Sequence, residues 1–176
     1  MGVDFRSIYP LTPLHSSTLA SVLLRAGRVD EAMDEAVRLL ELQPEYALAH
    51  ANFGWAHIAR GAVDEGVVAL EKASALAAGN TMLLGQLGHA YAVAGRTHQA
   101  REVLLRLNDL AATHYVSPYH VAYVYSGLDE RDEAISCLER ALEERAGGIY
   151  GMNGSFLFTG LRSHPRFRAL LRKMNL

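Results

Sequence analysis

Along this chain a fixed order of apolar, small and polar positions returns every 34 residues without an insertion. Leu19, Phe53, Leu87 and Val121 hold one phase of that period, and Leu23, His57, Tyr91 and Tyr125 hold the phase four residues later. A spacing of four puts each pair on one face of a helix. Leu70, Leu104 and Leu138 recur in a third phase, further along each copy. Small residues keep the same time: Ala20, Gly54, Gly88 and Ala122, then Ala32, Gly66, Ala100 and Ala134. Between those two sets stand Gly27, Gly61, Gly95 and Asp129. The pattern predicts two helices per copy and four copies, at 13–46, 47–80, 81–114 and 115–148.

Each recurring residue has a steric reason. The two small positions lie where the helices of a pair cross, so the backbones can approach. Gly27, Gly61 and Gly95 follow the first helix, where a left-handed residue ends it. Large side chains in the apolar phases fill the space between successive pairs, at about 1.5–3 kcal/mol each. Asp30, Asp64 and Asp132 precede the second helices and suit a helix N-terminus. Pro44 ends the second helix of the first copy, and Gly79-Asn80 and Gly147-Gly148 do so in later copies. A glycine inside a helix costs about 1 kcal/mol against alanine. Because other copies carry alanine there, Gly66→Ala is expected to be neutral or stabilising.

The two ends differ. Pro10 lies 34 residues before Pro44, so 1–12 reads as the remnant of a preceding repeat or as an N-terminal extension. Residues 149–176 read as a linker and a capping helix. Ser163 or His164 can cap that helix and Pro165 can open it. Phe167, Leu170, Leu171 and Met174 share its apolar face, while Arg166, Arg168, Arg172 and Lys173 share the other. Such a helix covers the open apolar face of a last repeat.

Composition narrows the function classes. Half of the 176 residues are apolar, a fifth are charged and the net charge is −2, which favours a helical protein without nucleic acid as partner. No apolar run approaches the ~18 residues of a membrane span, and the start lacks a signal-peptide pattern. The single cysteine, Cys137, excludes an internal disulfide and fits a reducing, cytoplasmic setting. The Met-Gly start has Arg6 where a myristoylation signal needs Ser or Thr. His50 and His57 are two turns apart, too far to share an ion, and no metal or other cofactor is expected. The glycine-rich 147–154 lacks the strand and Gly-Lys-Ser/Thr of a phosphate loop, and no catalytic constellation occurs. An enzyme is not expected.

These positions make the whole chain resemble tetratricopeptide repeat (TPR) proteins, with the third copy (Leu87-Gly88, Tyr91, Gly95, Ala100, Leu104) matching best. From Pro10 onward it is also similar to the C-terminal repeat regions of bacterial multidomain regulators. Leu87–Ala92, Tyr115–Tyr119, Cys137–Ala141 and Leu161–Phe167 carry that likeness, with His164 where Asp is usual. The resemblance implies an all-α, right-handed superhelical solenoid of four helix pairs plus the capping helix. It also implies a protein–protein interaction scaffold that holds a partner peptide or helix in a concave groove. The groove positions fall on Ser21, Asn52, Trp55, Gln86, His89, Tyr119, His120 and Tyr123. Asn52 suits a carboxylate-gripping groove, but the matching lysines are absent, so chaperone-tail binding is not expected. The other reading is a ligand- or peptide-sensing module of a bacterial signalling or transcription protein. Self-association through the N-terminal face is a further expectation.

Overall fold

The computed structural model describes residues 12–176, so the expected repeat remnant, Pro10 included, lies almost wholly outside the described residues. Everything regular in it is helical. The described residues fall into two compact units, 12–76 and 77–176. The division falls in the turn that ends the second predicted copy, and each unit holds two helix pairs.

The first unit contains α1 (Pro13–Arg25), α2 (Val29–Leu42), α3 (Ala47–Ala59) and α4 (Val63–Leu76). Thr12 caps α1 and Pro13 opens it, the favoured residue for a first turn whose amide has no partner. Gly27 and Gly61 sit at φ +73° and +85°, ending α1 and α3 as expected. Acidic pairs Asp30/Glu31 and Asp64/Glu65 occupy the first turns of α2 and α4. Ala20, Ala32, Val67, Leu70 and Ala73 are at or near zero exposure, so the crossing points are the core.

The crossing of α3 and α4 overturns one sequence-based expectation. Gly54 and Gly66 face each other there, and both phases carry glycine only in this pair. A Cβ on Gly66 would stand 2.6 Å from the Gly54 carbonyl oxygen and collide with Ile58 Cγ1. The helices have closed into the space that alanine fills in other copies. Gly66 therefore has no room for the methyl group.

The second unit contains α5 (Thr81–Val93), α6 (Thr97–Ala111), α7 (Pro118–Gly127), α8 (Arg131–Glu143), two 3-10 helices (Ile149–Gly154 and Phe156–Leu161) and α9 (Pro165–Lys173). Asn80 caps α5 by accepting from the amides of Met82 and Leu83, at 3.1 and 3.2 Å. Gly95 and Asp129 take φ +72° and +59°, so the fourth copy makes the same turn with a residue other than glycine. The fourth copy opens at 115, and α7 begins within it at Pro118. Ser117 there accepts from the Tyr119 amide at 3.3 Å, and a cap followed by Pro sets the start. Ala100, Val103, Leu107 and Val124 form the heart of one apolar cluster in this unit.

The stretch expected as a linker is packed instead. Ile149, Met152, Phe158 and Leu161 are almost wholly buried, at three-residue steps interrupted only by half-buried Ser155. That is the 3-10 period, in which residues three apart eclipse. The opposite side repeats at the same step: Tyr150, Asn153, Phe156, Thr159 and Arg162 are all exposed. The following α9 is opened by His164, whose Nδ1 accepts from the Arg166 amide at 3.3 Å, and by Pro165. Phe167 and Leu170 are buried beneath it. Arg166 pins α9 to α8 through Asp132 (3.0 Å), Glu139 (2.8 Å) and the Ser136 hydroxyl (3.0 Å).

Candidate functional site

The eight groove positions are divided between the two units: Ser21, Asn52 and Trp55 in the first, the remaining five in the second. Asn52, Trp55, His89, Tyr119 and Tyr123 are buried, while Ser21, Gln86 and His120 are half-buried.

In the first unit Asn52 joins the opening helices of the two copies. Its Nδ2 donates to the Ser17 carbonyl at 2.8 Å and to the Ser17 hydroxyl at 3.1 Å. A buried amide must find such partners, because leaving it unpaired costs about 1–3 kcal/mol. Trp55 is only 6% exposed, so its ring is core rather than an open aromatic surface.

In the second unit the same positions form a seam between α5 and α7. The His89 Nδ1–H donates to the Tyr123 carbonyl at 2.8 Å, and His120 Nδ1 shares a hydrogen bond with Thr81 Oγ1 at 2.9 Å. Burial pushes both imidazoles down to about 4, in His89 against the opposing pull of its carbonyl bond. Both are neutral near pH 7. Glycines let the two backbones touch beside these histidines. A Cβ on Gly85 would run into the His120 carbonyl, and one on Gly127 would stand 2.9 Å from the His89 carbonyl oxygen.

Tyr119 and Tyr123 face the chain's own C-terminal segment. Their rings lie 5.5 and 5.6 Å from that of Phe158, which is fully buried, and 5.1 Å from each other. Ser126 Oγ donates to the Leu157 carbonyl at 2.7 Å and fixes this contact. Phe158 thus takes the place beside the two tyrosines that the sequence left open for a partner. The signal was present as apolar residues at three-residue steps, a period that neither helix nor strand templates detect.

Clefts also open away from these positions. In the first unit Leu40, Phe53, His57, Val68 and Lys72 line one of about 760 Å³, with His50, Phe53 and His57 on the side of α3 opposite Asn52. In the second, Leu107, Val121, Tyr125, Cys137 and Arg140 line a smaller one of about 230 Å³. Burial pushes the Cys137 thiol up, so it is the protonated, unreactive form at neutral pH. Among the described residues no three His, Cys, Asp or Glu side chains converge as a metal site, and no helix is long and apolar enough to cross a membrane.

A family model described as "Tetratricopeptide repeat" matches residues 119–146, which is most of the fourth copy. No curated protein matches the chain. Among solved structures, it is similar to nearly identical TPR-like repeats of a kinesin light chain-like protein of Podosopora anserina. That match has 20% identity and a TM-score of 0.54, over 92% of this chain and 95% of that one. MamA of AMB-1 is 19% identical over 93% of this chain and 92% of its own, with a TM-score of 0.48.

Proposed function

We propose that the chain, whose fourth copy matches a tetratricopeptide repeat and whose fold resembles such repeats throughout, is a non-catalytic scaffold whose inner helix faces hold a partner peptide. The fold supports protein-interaction scaffolding in general, since stacked helix pairs present extended surfaces built from rigid elements. The observation that carries the finer reading is the set of half-buried polar side chains on the opening helices, Ser21 in the first unit and Gln86 with His120 in the second. In each unit taken by itself the opening helices also carry buried residues, Asn52 and Trp55 in the first and His89 with the two tyrosines in the second. Such a surface suits a peptide backbone better than a bulky apolar anchor, because the aromatic places are already filled from within the chain.

Trp55 is the wrong residue for testing this. Removing a buried Trp costs about 3–5 kcal/mol and confounds binding with folding. The test uses peptides selected from a random displayed library on the full chain, followed by Kd measurements against Ser21→Arg and Gln86→Arg. A loss of at least tenfold in either folded variant supports the inner faces. Unchanged binding in both removes them from the function.

A further inference from the structure

The charges of this chain are sorted along its length. All nineteen acidic residues lie within 1–144, together with eleven of the seventeen Lys and Arg residues. The last 32 residues hold Arg145, Arg162, Arg166, Arg168, Arg172 and Lys173 with no Asp or Glu. Of these, Arg166 is spent on α8, as described above. Arg162 donates to the Asn153 carbonyl at 3.4 Å and forms no ion pair among the described residues. Arg168, Arg172 and Lys173 form no ion pair among the described residues and share the exposed arc of α9. The 3-10 helices that precede α9 along the chain carry two exposed aromatic rings, Tyr150 at 68% and Phe156 at 37% exposure.

From this we propose that the outer face of the C-terminal cap docks a short acidic segment of a partner protein. Cations on an exposed arc that form no ion pair among the described residues attract carboxylates. The size of the patch sets the length of the occupant. Nine residues of helix span about 14 Å, which matches about four residues of extended peptide. The border sets its class. The helix to which α9 is pinned, with its leading turn, carries Asp129, Glu130, Asp132, Glu133, Glu139, Glu143 and Glu144, and even with Arg101, Arg131, Arg140 and Arg166 paired to five of them it stays net acidic. A long polyanion such as a nucleic acid, or an anionic bilayer, extends beyond the cations and meets that acidic border. A short peptide ends before it.

This surface is separate from the inner helix faces, and the two proposals fail independently. The test is fluorescence anisotropy on the full chain with a labelled short Glu-rich peptide bearing a Phe at each end. Competing probes are single-stranded DNA and phosphatidylserine vesicles. The expected result is saturable binding that weakens as salt rises and falls at least tenfold in Arg168→Glu/Arg172→Glu. Arg106→Glu, an exposed cation elsewhere, should give no change. The two arginines are exposed, so the melting temperature reports that the variant is folded. Absence of binding, binding indifferent to the charge reversal, or tighter binding of DNA or vesicles than of the peptide overturns the proposal.

Discussion

At Gly66 one hydrogen atom decides how closely two helices pack. Helix propensity alone favours alanine there by about 1 kcal/mol. The crossing reverses the sign, because the added methyl meets the Gly54 carbonyl and Ile58. Overpacking of this kind typically costs about 1–3 kcal/mol. Gly66→Ala is therefore expected to lower the midpoint of chemical denaturation, and an unchanged or raised midpoint would show that the helices can part. The buried histidines make a second residue-scale prediction. His89 and His120 are held near 4 in the folded state against 6.5 when exposed. The unfolded chain then takes up protons first, so stability is full above pH 6.5 and is lost as pH falls from 6.5 toward 4. For His89 alone the loss approaches ~3 kcal/mol, at about 1.4 kcal/mol per pKa unit. Melting temperature against pH, compared between the wild type and His89→Gln, checks this. The variant should show a flatter acid limb.

At the scale of elements, the 34-residue rhythm made nearly every helix legible. Glycines at φ above +70° stand where the pattern put them, and the acidic first turns follow in three of the four copies. α7 starts three residues into the fourth copy, because a local Ser-Pro cap sets its first turn. The candidate site was less legible. The sequence could place Asn52, His89 and Tyr123 on inner helix faces, but not foretell that Ser17, a neighbouring carbonyl and Phe158 would occupy them. Those contacts depend on distances between helices, which periodicity does not encode. The 3-10 segment was read as a linker for the same reason that makes it short: its eclipsed side chains give a period of three, which helical and strand templates do not match. Its burial yields the element-scale prediction. Phe158→Ala removes a fully buried ring and should destabilise by about 3–5 kcal/mol. Phe156→Ala, two residues away on the exposed side, should cost under 1 kcal/mol. Equal losses in thermal melts would mean that the two faces are not distinguished as described.

At the scale of the whole molecule, each unit has its own buried apolar residues and its own polar seam: Asn52 with Ser17 in one, His89 and His120 in the other. The second unit also closes its last pair with Phe158, Phe167 and Leu170, so the side chains that seal its end come from within it. Residues 77–176 are therefore expected to fold when expressed alone. Circular dichroism of that fragment should show a helical spectrum and a cooperative melt, and a spectrum of unstructured chain would refute its independence.

The lone thiol offers a way to watch this molecule breathe. Cys137 lies half-buried between α6, α7 and α8 with its ionisation suppressed, so alkylating reagents reach it slowly in the closed state. The rate of its modification becomes an internal clock for the parting of those helices. No second cysteine blurs the reading. A partner that steadies the C-terminal unit would slow that clock without touching the sulfur.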